Sequence, residues 1–327
     1  MKALTFAVLR LLADGEFHSG EDLANTLGIS RASVWNTLKE VDDAGLVLYK
    51  IRGRGYRLVE PLQWLDKTKI ASALGTHANR FEIEIIDCTD STNSLLMQKA
   101  ALGAVHGSVV AAEMQTHGRG RRGRSWHSNL GGALTFSLLW RIDQGVGLLS
   151  GLSLGVSVAL LRALKSLGVN GVALKWPNDV LHHFCKLAGI LIEVQGEALG
   201  PSLAVIGVGM NLKLSEHTRG IIDRPTTDLY SITGAAPERN HALGCMLGHM
   251  AEVLDIFAVH GFSGLREEWV EHHAYHNKNV KIMLPGDGAE EGMVTGVDGE
   301  GALLVKTNGG ERRYNTGEIS LRPEHAP

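Results

Sequence analysis

Apolar residues recur at helical spacing from the start of the chain. Phe6, Leu9, Leu12 and Ala13 mark one face of a first helix. The stretch HSGEDLANTLGISRASVWNTLKEVDDAGL then predicts two short helices. Ser19 caps the first, with Asp22 three residues on, and Gly28 closes it. Ser30 caps the second, whose buried face is Val34, Leu38 and Val41, and Gly45 ends it. Two helices joined by a short turn containing Gly form a helix-turn-helix pattern. In LVLYKIRGRGYRL the period changes to two on both sides of a Gly-rich turn, which predicts a β-hairpin. Together these segments make a winged helix over residues 1–62. After Pro61 comes a linker, and the texture then becomes mixed α/β. FEIEIID (81–87), GSVVAAE (107–113), ALTFSLLW (133–140) and LAVIGVGMNL (203–212) are strands of buried type. GLSLGVSVALLRALKSLG (151–168) is the strongest helix, and a further helical stretch covers roughly 240–272. Period-two runs with Gly, Asp and Asn turns return after 276 and predict a small β-barrel module over 276–327.

Composition is that of a globular protein able to bury a core: 44% hydrophobic and 20% charged over 327 residues. The net charge of −3 means that any nucleic-acid contact must come from a local patch. The hairpin supplies one, with Lys50, Arg52, Arg54 and Arg57 and no acid among them. On the solvent side of the second helix stand Arg31, Ser33, Asn36, Thr37 and Lys39. Arg and Asn read guanine and adenine edges, and Ser and Thr suit phosphates. Three widely spaced cysteines with no CxxC pair argue for a reducing compartment. The N-terminal apolar run is interrupted by Arg10, Asp14 and Glu16 and reads as a helix, not a signal peptide. The uncharged stretch from Gln144 to Leu161 is broken by Gly and Ser and makes a poor membrane span.

Several segments can carry chemistry. GRGRRGRSW (118–126) puts four arginines and three glycines into seven positions, with Trp126 just after. It fits an anion clamp, in which backbone N–H groups and Arg forks meet phosphate or carboxylate oxygens. It equally fits a solvated basic loop or a second nucleic-acid patch. KWPNDV (175–180) offers Lys175, Asn178 and Asp179, or is a structural turn. Lys186 opens an apolar strand and is either a snorkelling surface lysine, the commoner use, or a charge aimed into a pocket. DCTDSTN (87–93) is a helix N-cap or a set of fixed donors and acceptors for a polar ligand, with Gln115 as an added donor. His182, His183, His272, His273 and His276 read as surface histidines: His272 and His276 are four apart but lack the glutamate of HExxH.

Taken in order, STN at 91–93, Gln115, GRGRRGRSW at 118–126, KWPND at 175–179, KLAGIL at 186–191 and GVGMN at 207–211 resemble the biotin protein ligases. With the winged helix in front, the chain is similar to their bifunctional bacterial form, which also represses a biotin operon. The resemblance spans essentially the whole chain. It implies a class II synthetase-like catalytic domain at 66–273 and an SH3-like β-barrel at the C-terminus, an α+β multidomain fold. It implies ATP-dependent formation of biotinyl-5′-AMP and transfer of biotin to a lysine of a biotin carboxyl carrier protein. Ser91, Thr92, Asn93, Gln115, Arg119, Gly120, Arg121 and Lys186 match biotin-binding positions. Arg121, Arg124, Trp126, Asn178 and Asn211 match ATP-binding ones. Lys186, Arg121 and Arg119 would be catalytic, Asp179 would touch Mg²⁺, and Arg322 would reach back toward the site. Operator DNA, a homodimer in the adenylate-bound state, a cytoplasmic location and no membrane are further implications. The competing expectations are a lipoate-ligase-like enzyme, which the GRGRRGR and KWPND segments disfavour, and a non-enzymatic repressor that senses a small acid.

Overall fold

Two serines set the first helices. Ser19 accepts from the Asp22 N–H at 3.0 Å and Ser30 from the Ser33 N–H at 3.1 Å, so α2 (Gly20–Leu27) and α3 (Arg31–Asp43) begin where the caps predicted. With α1 (Ala3–Leu11) they bury Phe6, Leu9, Leu23, Val34, Leu38 and Val41 in one small core. The hairpin of β1 (Leu48–Ile51) and β2 (Gly55–Leu58) is tied to the entry of α2, because His18 and Tyr56 exchange backbone hydrogen bonds of 2.9 and 2.8 Å. Gly55 is required at that crossing: a Cβ there would lie 2.0 Å from the His18 carbonyl oxygen. This computed structural model describes residues 1–43, 46–142, 149–196, 202–235, 238–283, 289–315 and 320–323, without the side chains of 42, 43 and 320–323. Gly45 and Gln144 therefore lie outside the described residues.

The middle of the chain is built on a seven-stranded sheet. Its strands are β3 (Glu82–Thr89), β4 (Ser108–Gln115), β5 (Ala133–Ile142), β6 (Val172–Lys175), β7 (Asp179–His182), β8 (Cys185–Gly196) and β9 (Ser202–Asn211). They lie in the order β3-β4-β5-β9-β8-β7-β6, and only the β3–β4 pair is parallel. On one face lie α4 (Lys67–Leu74), α6 (Leu152–Ser166) and α9 (Arg239–His260), with Phe136, Leu138, Leu160, Met246 and Leu254 in the shared core. The stretch through α9 is apolar enough to cross a membrane, but it packs on α4 and α6 as part of that layer. The helical region expected over 240–272 is broken. Gly261, at φ +60°, ends α9, a 3-10 turn covers Gly261–Gly264, and α10 (Arg266–Glu271) follows. Of the shorter helices, α5 (Thr92–Ala101) and α7 (Glu216–Ile221) contribute residues to the site, and α8 (Leu229–Thr233) follows α7 in the chain. The C-terminal module is an antiparallel sheet of β10 (Asn279–Met283), β11 (Ala289–Val297), β12 (Leu303–Thr307), β13 (Gly310–Tyr314) and β14 (Ser320–Pro323), ordered β13-β12-β11-β10-β14. Arg322 stands on β14 opposite Lys281, and its side chain lies outside the described residues.

The segment expected as a plain linker is held at several points. The Leu65 N–H donates to Glu113 at 2.6 Å, and Arg239 donates to the same carboxylate at 2.7 Å, with both charged groups almost wholly buried. Asn240 accepts from the Asp66 N–H and donates to the Trp64 carbonyl. Leu130 completes the small winged-helix core, and Arg10 pairs with Asp87 across the junction. The winged helix is thus docked on the mixed domain.

Candidate active site

The DCTDSTN turn ends β3 and starts α5, with the Ser91 hydroxyl facing the Ser94 N–H at 3.5 Å. Ser91 is the cap, and the same residues line a cavity. Gln115, at the end of β4, accepts from the Thr92 N–H at 2.7 Å and from its hydroxyl at 3.1 Å. Its carbonyl is consumed there, which leaves its amide N–H₂ as the donor. Asn93 is nearly fully buried. Its amide oxygen accepts from Ser137 at 2.5 Å, and its N–H₂ donates to the Leu191 carbonyl at 3.1 Å and to Glu193 at 3.0 Å. It lies directly on Gly207, where a Cβ would come within 2.1 Å of the amide oxygen.

The Gly/Arg loop folds as a small closed hairpin. The Trp126 N–H donates to Gly118 at 2.8 Å, Arg119 bridges to Ser125, and the Gly120 N–H donates to Arg124 at 2.7 Å. At the tip, Arg122 and Gly123 both take left-handed φ values (58° and 70°). The loop lays the Trp126 ring over Gly209, where a Cβ would meet three ring atoms at 2.5–2.8 Å. The indole N–H is buried with no partner among the described residues. Arg121 points inward, and its guanidinium donates to Asn178 at 3.3 Å and makes no ion pair among the described residues. Burial pushes its pKa down and the neighbouring Arg122 charge adds to that, against a smaller opposing pull from the Asp179 carboxylate. A partly desolvated guanidinium that makes no direct ion pair among the described residues, with Asp179 acting on it only at longer range, has its charge free to meet an incoming anion.

Lys186 overturns the snorkelling expectation. On a regular β8 it would share a face with Ala188 and Ile190, which are buried in the core. A bulge where β7 meets β8 removes one step of alternation, so Lys186 joins Gly189 and Leu191 on the cavity face. Gly189 leaves room for the ammonium: a Cβ there would be 2.8 Å from Nζ. Nζ donates to Asp179 at 2.6 Å, with both side chains largely buried. Asn178 donates to the Ile190 carbonyl at 2.8 Å, and Asn211 donates to the Thr227 carbonyl at 3.0 Å. All of these groups face one cavity of about 350 Å³. Every catalytic, biotin and ATP residue named from the sequence lines it: Ser91, Thr92, Asn93, Gln115, Arg119, Gly120, Arg121, Arg124, Trp126, Asn178, Asp179, Lys186 and Asn211.

Thr37 and His273 differ from expectation, and Asp179 has a partner that the sequence did not indicate. Asp179, taken as a metal ligand, is engaged by Lys186, and the other cavity carboxylate, Asp223, pairs with Arg224. Among the described residues no three His, Cys, Asp or Glu side chains gather as a metal site. Among the described residues Asp179 is thus the carboxylate of the cavity nearest Lys186, and an Mg²⁺ brought in with ATP phosphates would need few ligands from the chain. Thr37, expected on the solvent side of α3, is 5% exposed and bonds the Ser33 carbonyl at 2.8 Å, so it belongs to the buried face. His273, read as a surface residue, is 6% exposed and lies against Trp269, and α10 ends before His272, so His272 and His276 share no helical face. Sequence reasoning also missed the segment of Ile221, Ile222, Asp223, Arg224 and Thr226, which closes the cavity from below. Its only sequence signal, Asp-Arg-Pro, is ordinary turn chemistry.

On the winged helix, Arg31 and Asn36 are exposed on α3, with Trp35 58% exposed beside them. Ser33 is half-buried and shares a 2.9 Å hydrogen bond with Ser30. Lys50, Arg52 and Arg54 are exposed on the hairpin, where Arg54 stacks on Phe17 at 4.5 Å.

Comparisons with known proteins agree with this layout. The Biotin/lipoate A/B protein ligase family matches residues 85–211, the biotin protein ligase C terminal domain 275–322, and an HTH domain 5–57. The bifunctional ligase/repressor BirA of Salmonella typhimurium is 35% identical over 316 residues, 96% of each chain. A biotin–[acetyl-CoA-carboxylase] ligase of Mycobacterium tuberculosis is 31% identical, over 78% of this chain and 95% of that one. The solved biotin protein ligase from Aquifex aeolicus in complex with biotin and ATP superposes with a TM-score of 0.64 at 28% identity, covering 74% of this chain and 99% of that one. Fold and site together define a biotin/lipoate-ligase-type catalytic domain behind a helix-turn-helix. More particularly, the chain belongs to the family of bifunctional biotin protein ligase/repressors.

Proposed function

We propose that this protein joins biotin to ATP as biotinyl-5′-AMP, releases pyrophosphate, and passes the biotinyl group to a lysine of a biotin carboxyl carrier protein. The observation that carries this is the convergence of the thirteen residues on one cavity around Arg121, a half-buried cation that makes no direct ion pair among the described residues. The two reactants are both anions. Arg121 meets the biotin carboxylate as it approaches the α-phosphate. Lys186, oriented by Asp179, meets charge growing on the α-phosphoryl oxygens. At ~4 Å one such pair is worth about 4 kcal/mol at an effective dielectric near 20. Mg²⁺ arrives with ATP and supplies further charge neutralisation on its phosphates. Ser91, Thr92, Asn93 and Gln115 hold the biotin head group, and Trp126, Arg124, Asn178 and Asn211 hold the nucleotide. The closed loop keeps water from the mixed anhydride. Transfer needs only the incoming amine, so no enzyme nucleophile enters.

The winged helix binds operator DNA through Arg31, Asn36 and the cationic hairpin, as a homodimer that the adenylate favours. The proposed division is 1–62, 66–273 and 276–327. Three free cysteines suit a reducing, cytoplasmic setting. The test is incubation with labelled biotin, MgATP and a carrier domain. Label on the carrier lysine together with pyrophosphate release is expected; the absence of both overturns the proposal.

A further inference from the structure

Arg119 and Arg121 stand two residues apart in one loop, yet their surroundings are opposite. Arg121 is half-buried, donates to Asn178 and makes no direct ion pair among the described residues. The Arg119 guanidinium is half-exposed and donates to Glu193 Oε2 on β8. The same oxygen accepts from Asn93 Nδ2 at 3.0 Å. Asn93 is fixed in turn by Ser137 at 2.5 Å and by its seat on Gly207. An unbroken set of polar contacts therefore runs from Ser137 on the sheet floor, through Asn93 and Glu193, to the base of the loop. Arg119 sits one residue inside that base, bridged to Ser125, beside the Trp126–Gly118 hydrogen bond that keeps the indole on Gly209.

From this geometry we infer that Glu193 is a positioning residue that latches the Gly/Arg loop through Arg119, and that Arg119 serves as the latch's second half and not as an anion ligand. The Arg119 charge is already neutralised by Glu193, so an incoming carboxylate would have to displace a carboxylate that Asn93 holds in place. Arg121 needs no such exchange. The latch also ties the loop to Asn93, a wall of the cavity, so filling the cavity and closing the loop depend on the same side chain. The meaning of the closure rests on the ligase reading; the latch itself does not.

The loop contains its own reporter, because trypsin cuts after Arg121, Arg122 and Arg124 when the loop opens. Full-length wild type, R119Q, E193Q and the double variant are digested without ligand, and loop cleavage is timed by mass spectrometry. Each single variant is expected to be cut about three- to fivefold faster, the factor a half-exposed charge pair supplies, with unchanged thermal unfolding. The double variant is expected to be cut no faster than either single, because both remove one contact. Cleavage of E193Q at the wild-type rate, or effects that add in the double, overturns the latch. A second readout is the biotin KM with carrier and MgATP, which R119Q and E193Q should raise by the same factor. A much larger loss in R119Q alone would make Arg119 an anion ligand and overturn the inference. Protection of the wild-type loop by biotin plus MgATP tests the ligase reading separately: its absence counts against that reading, while the ligand-free comparison still decides the latch.

Discussion

Two glycines one pleat apart on β9 allow the two halves of the cavity to be perturbed separately. Neither Gly207 nor Gly209 has a positive φ, so alanine is conformationally acceptable at both and only space decides. At Gly209 a Cβ would lie 2.5, 2.7 and 2.8 Å from three atoms of the Trp126 ring. Ordinary van der Waals contact between carbons begins at about 3.5 Å, so the ring must move by about 1 Å. It cannot retreat along the loop, because the Trp126 N–H is bonded to Gly118. It must lift off the sheet into the cavity. Overpacking of this size costs about 1–3 kcal/mol, or roughly 5- to 150-fold in affinity. G209A should therefore lose that factor for a non-hydrolysable ATP analogue, while biotin binding changes less than twofold. At Gly207 the clash is with Asn93 at 2.1 Å, so G207A should show the reverse. Isothermal titration of each ligand against each variant is the assay. Equal losses of both ligands in both variants, or a G209A protein that binds the ATP analogue normally, would refute the assignment of the two halves.

Removing Arg121 should separate function from stability: R121L should keep its unfolding temperature within about 2 °C while adenylate formation falls by about a hundredfold, since the lost group is a desolvated cation with a depressed pKa. A drop of more than about 5 °C would make the arginine structural. His273 predicts an acid response. Burial first, and the His276 charge second, push its pKa down to about 3. The unfolded chain, with His near 6.5, takes up the proton first, so stability is complete above pH 6.5 and is lost as pH falls toward 3. By pH 5 the loss is about 2 kcal/mol, and H273F should be correspondingly less acid-sensitive in urea titrations; identical pH profiles would sink this account. On the winged helix, R52A/R54A should reduce the salt dependence of operator binding by about two phosphate contacts without changing base preference, and an altered preference would place these arginines on bases instead.

What could be read from the chain and what could not divides along a physical line. Caps, helix faces and the hairpin were legible because each depends on residues within four positions, as Ser19 with Asp22 and Val34 with Leu38 and Val41 show. Much of the cavity was legible through resemblance, since thirteen of its lining residues come from six separated motifs that no local rule brings together. Lys186 was not legible from local pattern, because its face depends on a bulge between two strands, and strict alternation assigns it to the core or the surface. Thr37 went astray for a related reason. Helical position alone sets it beside the buried stripe, and its hydroxyl can be buried because it bonds the Ser33 carbonyl within its own helix. Asp179 and Glu193 show the same limit for charge. Nothing in the sequence pairs either of them, and both are held by a cation that only the fold brings near. The number of charges in GRGRRGRSW is therefore a poor guide to its chemistry. Arg119 pairs directly with Glu193 while Arg121 makes no direct ion pair among the described residues, so one loop sequence places its arginines in two different settings, and the strand beneath decides which is which.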